Sequence, residues 1–322
     1  MSILIRAAAA LAALLLALAA QAQGYPTRPV KIIVPFPPGG TTDILARITA
    51  ERLQSAFGQP FLVENRGGAG GVIGTEALVK AAPDGHTLML SSSAPLAVGL
   101  KLYKSLPYDV MRDITPVAMI ADVTVVLATS LAFKPQNVKE LIAYAKANPG
   151  KLNAGLPAVG SMQHLLTELF RLRTDTSVNM IPYKGSGPVV VDLLAGVVDM
   201  DIENLPVVLE YIKANRLRAL AVASEKRSEL LPDTPTFVEL GLPDLVAAPW
   251  FALVAPAGTP KEIVDRLNDE VNKMLRAPRT KAVLDKQGAN AVITTPEAAK
   301  EFFRTEIEKW ARVVAESGAK IE

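Results

Sequence analysis

Residues 31–43 read KIIVPFPPGGTTD, a β-branched run followed by a turn rich in proline and glycine. An amphipathic run continues from Ile44 to Phe57, so this stretch predicts a strand, a tight turn and a helix. Such a turn points free backbone N–H groups and the positive end of the helix dipole at one place, where an anion is stabilised. The prolines restrict φ and stiffen the loop. We therefore predict an anion-binding loop that faces a cleft formed by the rest of the chain.

The first residues have the pattern of a secretory signal peptide. Arg6 precedes a run of almost only Ala and Leu, which ends at Ala20-Gln21-Ala22. A basic start, an apolar middle and a small-residue site predict cleavage after Ala22 and a periplasmic location. The alternative is an N-terminal membrane anchor, but the run is short for a bilayer span, which favours cleavage.

Composition limits the classes of function. The 322 residues suggest two domains, and half of them are apolar, as in a globular protein with a large core. Without Arg6 the 34 basic residues become 33, against 32 acidic ones, and no basic patch indicates a nucleic-acid partner. The chain has no cysteine, which excludes thiol catalysis and cysteine metal sites.

Further turns carry polar residues that follow predicted strands. The serines at 91–93 follow the apolar run 87–90, at the strand end where ligands bind in open α/β sheets. A plain serine turn is the alternative. The glycine-rich segment 64–74 fits neither a dinucleotide fingerprint nor a P-loop, so we interpret it as a structural turn. A third glycine loop spans 183–188.

Strands alternating with helices along the whole chain predict parallel sheets covered by helices, an α/β fold. The number of such units is enough for two sheets. No Gly/Ser-rich linker separates them, so we expect strands near 117–122 and near Trp250 to cross between two lobes. A cleft between hinged lobes is the predicted result.

Few residues are suited to catalysis. His86 and His164 are the only histidines, without a metal-binding spacing or a nucleophile elbow, and we predict no metal and no cofactor. His164 either donates a hydrogen bond into the cleft or satisfies a nearby backbone carbonyl. Asp43 and Glu203 are either an acid–base pair or, as we favour, a helix cap and a group that orients a ligand, a loop or a water.

Several segments together resemble the Bug family, the TctC-like extracytoplasmic solute receptors of tripartite tricarboxylate transporters. They are residues 25–30, 34–43, 63–71, 82–87, 106–109, 182–188 and 254–260. The resemblance implies a type II periplasmic binding-protein fold, in which two Rossmann-like lobes joined by crossing strands close around an organic acid. We expect lobe 1 to comprise residues 23–122 and 249–322, and lobe 2 residues 123–248.

By this resemblance, one ligand carboxylate lies between the loops 35–43 and 155–161, partly through ordered waters. Leu156 and Ala158 stand where the family usually has Ser and Gly, and Glu203 stands where it usually has Asp, so these positions are expected to set the ligand's identity. The predicted ligand-binding residues are Phe36, Gly39, Gly40, Thr41, Asp43, Ser91, Ser93, Pro157, Ala158, Gly160, Ser161, His164 and Glu203.

The predicted function is capture of a small organic carboxylate in the periplasm and its delivery to the permease subunits of a tripartite transporter. We expect a monomer without a nucleic-acid partner. One alternative is a sensor that presents its closed form to a membrane signalling protein. Another is an envelope enzyme that uses Asp43 and Glu203.

Overall fold

The computed structural model describes residues 24–317, which form two β-sheets with helices packed against them. The predicted signal peptide, residues 1–22, lies outside this range. Within the described range no helix is long and apolar enough to cross a membrane. The same residues contain no group of His, Asp and Glu side chains arranged to hold a metal ion.

The strands and helices alternate over most of the chain. The strands are β1 (Val30–Val34), β2 (Phe61–Asn65), β3 (Thr87–Ser92), β4 (Ile114–Val123), β5 (Val125–Ser130), β6 (Leu152–Leu156), β7 (Val178–Pro182), β8 (Met200–Asn204), β9 (Leu217–Val222), β10 (Trp250–Pro256) and β11 (Ala289–Ala291). The α-helices are α1 (Thr41–Phe57), α2 (Val72–Val79), α3 (Ser93–Leu96), α4 (Val110–Asp113), α5 (Val138–Ala147), α6 (Met162–Thr174), α7 (Ser186–Ala195), α8 (Leu205–Lys213), α9 (Lys261–Arg276), α10 (Pro278–Lys286) and α11 (Pro296–Ser317).

The first sheet has the strand order β11-β4-β10-β3-β1-β2 and the second has the order β7-β6-β8-β5-β9. The central strands of the first sheet are apolar on both faces, and Ile32, Leu88 and Leu253 are completely buried. Burial of each such side chain contributes about 1.5–3 kcal/mol of hydrophobic stabilisation. Met89 and Ala252, on the opposite face, are also completely buried. The first sheet is therefore covered on two sides, as the near-continuous apolar runs predict.

The sheets are mixed, which differs from the purely parallel arrangement that the alternating pattern predicts. β1, β2 and β3 are parallel, but β10 is antiparallel to β3 and β4. In the second sheet β6, β7 and β8 are parallel, and β5 is antiparallel to β8 and β9. β5 and β10 are the strands that enter one sheet directly from the other, and both run antiparallel to their neighbours. β11, at the edge of the first sheet, is also antiparallel to β4.

The two sheets are connected where the predicted crossing stretches lie. β4 continues through Thr124 into β5, and the chain returns to the first sheet at Pro249, just before β10. The Val123 N–H donates to the Pro249 carbonyl at 3.0 Å, so the two crossing segments lie side by side. The Leu205 N–H donates to the Thr124 carbonyl at 2.8 Å, which joins the start of α8 to the same place.

Candidate functional site

A cavity lies between the two sheets, at the carboxyl ends of β1, β3, β6 and β8. Its empty volume, including the solvent-filled space at its mouth, is about 530 Å³. None of the described residues that line it is acidic or basic. Seven predicted ligand-binding residues are among them: Phe36, Gly40, Thr41, Ser93, Pro157, Ala158 and Ser161.

The first turn of α1 forms one wall. Thr41 and Thr42 line the cavity, directly after Gly40. The Thr41 hydroxyl oxygen accepts a hydrogen bond of 3.1 Å from the side-chain amide of Asn204, which ends β8 in the other sheet. Because the Thr41 oxygen accepts from Asn204, its own proton is available to a group inside the cavity. The N–H groups of the first helical turn add further donors.

Asp43 lies outside the cavity lining and holds the loop in shape. Its carboxylate accepts hydrogen bonds from the Gly39 N–H at 3.1 Å, from the Arg47 guanidinium at 3.0 Å and from the Asn65 amide at 3.0 Å. The Asn65 amide also donates to the Phe36 carbonyl. Burial raises the pKa of Asp43, but these hydrogen bonds outweigh it and leave the pKa below its usual value. Gly39 lies two residues before α1, so the hydrogen bond from its N–H to Asp43 is of the kind that the helix-capping alternative describes.

The serine turn after β3 contributes two hydroxyls, those of Ser92 and Ser93. Ser91 is fully buried and lies outside the cavity lining. Residues 91 and 93 would share a face only if the strand continued. The strand ends at Ser92 and α3 begins at Ser93, so the alternation of side chains stops there.

The loop before α6 forms the opposite wall. The Ser161 hydroxyl donates to the Ala158 carbonyl at 2.7 Å and accepts from the His164 N–H at 3.2 Å, as an N-cap residue does. Since this hydroxyl proton is already bonded, the backbone N–H groups of Met162 and Gln163 in the first helical turn are the candidate donors on this wall.

His164 supports this loop from behind the cavity lining. Its Nδ1 accepts a hydrogen bond of 3.2 Å from the Gly160 N–H, which places the ring proton on Nε2. Burial lowers the pKa of His164, so the neutral ring is favoured. The structure therefore shows the ring satisfying a backbone N–H, rather than the carbonyl named in the sequence-based alternative. Leu156 is buried and also lies outside the lining.

Glu203 is fully buried beneath the cavity. One of its oxygens accepts from the Gln163 amide at 3.2 Å and from the Asn204 N–H at 2.7 Å. Asp201 is two residues earlier on β8 and equally buried, and neither of its oxygens has a hydrogen-bond partner in the described part of the chain. Burial and then the neighbouring Glu203 raise the pKa of Asp201 well above its usual value. Burial also raises the pKa of Glu203, although Ser186, Asn204 and Gln163 offset part of this.

This buried pair makes stability dependent on pH. Unfolded Asp and Glu titrate near pH 4, whereas the pKa values of the folded pair are raised, so above pH 4 the native state binds more protons than the unfolded state. The free energy of unfolding should therefore fall as pH rises, by about 1.4 kcal/mol per unit of raised pKa. Asp201→Asn should make this fall shallower in urea unfolding between pH 5 and 8.

Asp233→Asn is the matched control, because it removes an exposed carboxyl outside the cavity. It should leave the pH dependence of the wild-type protein unchanged. If the free energy of unfolding fell with pH at the same rate in the wild-type protein and in Asp201→Asn, the role of the buried pair would be contradicted.

Six predicted residues lie outside the cavity lining, and several lining residues were not predicted. The six are Gly39, Asp43, Ser91, Gly160, His164 and Glu203. The unpredicted ones are Pro37, Thr42, Ser92, Ala94, Met162, Gln163, Gly185, Ser186, Asn204, Pro249 and Phe251. Ser186 and Asn204 carried a signal, since one lies in the third glycine loop and the other ends a short polar strand.

The comparisons with known proteins agree over most of the chain. The family model described as the tripartite tricarboxylate transporter family receptor matches residues 45–319. Protein BugT of Bordetella pertussis is 54% identical over 302 residues, which are 94% of this chain and 93% of BugT.

Two solved structures are similar along their whole length. One is that of Rpa4515 of R. palustris with adipate, with a TM-score of 0.89 and 38% identity, covering 91% of this chain and 98% of that chain. The other is MatC from Rhodopseudomonas palustris with bound malate, with a TM-score of 0.86 and 30% identity, covering 90% of this chain and 100% of that chain.

These similarities confirm the predicted two-lobed periplasmic binding-protein fold. Members of the matched family are periplasmic solute-binding receptors and not enzymes, so the alternative in which Asp43 and Glu203 catalyse a reaction is set aside. The predicted resemblance is confirmed: the chain belongs to the receptor family of the tripartite tricarboxylate transporters.

Proposed function

We propose that this protein binds a small organic carboxylate in the cavity between the sheets and delivers it to the permease subunits of a tripartite transporter. The observation that carries the proposal is the chemistry of the cavity wall. Neutral hydrogen-bond donors converge there from both sheets, and none of the described lining residues is charged.

A carboxylate fits such a wall for electrostatic reasons. The first turns of α1, α6 and α7 all reach the cavity, through Thr41, Met162 and Ser186. Helix N-termini and neutral donors stabilise an anion without a salt bridge, and their effect is strongest where water is excluded. The raised pKa of Glu203 also fits, because it disfavours a negative charge beneath the cavity, which would repel an anion.

The related structures support an acid as the ligand. Rpa4515 was solved with adipate and MatC with malate, and both are dicarboxylates. For this chain we propose the predicted residues Phe36, Gly40, Thr41, Ser93, Pro157, Ala158 and Ser161 as ligand contacts, together with Ser186 and Asn204. Gly39, Asp43, Ser91, Gly160, His164 and Glu203 are proposed to shape the site from behind.

The domain and location assignments belong to the same proposal. We place lobe 1 at residues 23–122 and 249–322 and lobe 2 at residues 123–248, which is supported by the side-by-side crossing segments at Val123 and Pro249. Cleavage after Ala22 would release the protein into the periplasm, where it acts as a monomer.

A thermal-shift screen tests the function. A ligand that binds only the native state raises its apparent stability, by about 2.7 kcal/mol at a hundredfold excess over Kd. We expect at least one mono-, di- or tricarboxylate to raise Tm, and the corresponding carboxamide to have no effect. The proposal would be contradicted if only neutral solutes raised Tm, or if none of the acids in the panel did.

A further inference from the structure

A second, larger space lies directly outside the inner cavity. Its empty volume is about 1490 Å³, and five residues line both spaces: Phe36, Pro37, Pro157, Ala158 and Gly185. These five residues form an apolar neck between the inner cavity and this outer chamber. A Cβ atom added at Gly185 would lie 3.2 Å from Pro37 Cγ, which shows how closely the two loops approach there.

Apart from Lys184, the polar side chains on the wall of the outer chamber are bonded within the protein. The Tyr103 hydroxyl donates to the Ala69 carbonyl at 2.9 Å, and the Tyr183 hydroxyl donates to an Asp192 carboxylate oxygen at 2.6 Å. The side-chain amide of Asn65 donates to Phe36 and Asp43. The two tyrosines therefore present ring surface, and their hydroxyl protons are not available to a ligand.

Lys184 differs from its neighbours in this chamber. It is the one charged residue among the described residues lining either space, and its side chain forms no hydrogen bond or ion pair within residues 24–317. It is exposed and lines the outer chamber but not the inner cavity. An ammonium group at this place offers three donors and a positive charge to a group entering from solvent.

We propose that Lys184 binds the far carboxylate of an extended dicarboxylate whose near carboxylate occupies the inner cavity. This inference rests on the proposed function and specifies its ligand class. The apolar neck accommodates the methylene chain between the two carboxylates. The neutral inner wall and the cationic outer end thus recognise the two ends of the ligand by different chemistry.

Adipate and hexanoate are the probes, since they have the same chain length and differ in the second carboxylate. In calorimetric titrations we expect Lys184→Gln to weaken adipate binding by about fivefold to tenfold, as for a partly exposed charge-assisted bond. Hexanoate affinity should change by less than about twofold, since a single anionic end occupies the inner cavity. Lys184→Arg should retain adipate binding, and the adipate loss should shrink at high salt.

Lys139→Gln is the matched control, because it removes one positive charge from an exposed position on α5. It should leave both affinities unchanged. Equal weakening of adipate and hexanoate by Lys184→Gln, or no weakening of adipate, would overturn the inference. If the protein binds hexanoate but none of the diacids from succinate to suberate, the inference is overturned and the proposed function stands. If it binds no acid, both are overturned.

Discussion

Thr41→Val is expected to weaken binding of the carboxylate ligand by about 10- to 100-fold, the range for losing a hydrogen bond to a charged group. Thr41 accepts a hydrogen bond from Asn204, which leaves its proton for the ligand. Valine keeps the shape of the side chain but can neither accept the hydrogen bond from Asn204 nor donate one to the ligand. Calorimetric titration with the acid that gives the largest thermal shift measures the effect.

Thr49→Val is the matched control on the same helix. Thr49 is completely buried, and its hydroxyl has no hydrogen-bond partner among the described residues. It does not line the cavity, so the substitution should leave ligand affinity unchanged and keep or slightly raise stability. Equal losses of affinity in the two variants, or none in Thr41→Val, would contradict the assignment of Thr41 as a ligand contact.

Gly70→Ala is expected to weaken binding at least about tenfold by opposing closure of the two lobes. A Cβ atom at Gly70 would lie 2.8 Å from the Val159 carbonyl oxygen on the facing loop and 2.5 Å from the Tyr103 hydroxyl. The tyrosine side chain can move aside, whereas the carbonyl belongs to the backbone of the other lobe. The clash with the Val159 carbonyl exists only when the two loops are close, so the alanine variant favours the open form of the protein. Small-angle X-ray scattering should show less compaction on ligand addition than in the wild-type protein.

Gly58→Ala controls for backbone strain. Gly58 and Gly70 have similar positive φ values, 70° and 62°, but a Cβ atom at Gly58 meets no atom within 4 Å. Both substitutions should cost about 1–2 kcal/mol of stability, because alanine disfavours this conformation. Only Gly70→Ala should bind the ligand more weakly and show less compaction when ligand is added. Equal losses in both variants would show that the strain, and not the contact with Val159, is responsible.

The strand, turn and helix of residues 30–57 could be predicted because their signals are local. Proline, glycine and β-branched residues act over a few positions, and β1 and α1 lie where these signals place them. The direction of the Asp43 carboxylate could not be predicted from these local signals. This carboxylate accepts hydrogen bonds from Arg47, one helical turn later, and from Asn65 on the neighbouring strand, and these bonds hold it outside the cavity lining.

The opposite wall was harder to predict because its residues are brought together only by the fold. Ser186 and Asn204 come from separate strand–helix units, and Asn204 reaches Thr41 across 163 positions in sequence. Ser91 lies outside the cavity lining, since the change from strand to helix at Ser93 ends the alternation of side chains. Glu203 marked the correct strand, but its carboxylate lies beneath the wall and bonds to Gln163 and Asn204.

A crystal structure with the most stabilising acid tests the central claim most directly. The account predicts one ligand carboxylate in the inner cavity, within hydrogen-bond distance of the Thr41 hydroxyl and the first-turn N–H groups of α1 or α6, with no Lys or Arg side chain bonded to it. A ligand whose inner carboxylate is held by a basic side chain, or one that leaves the inner cavity empty, would contradict the account.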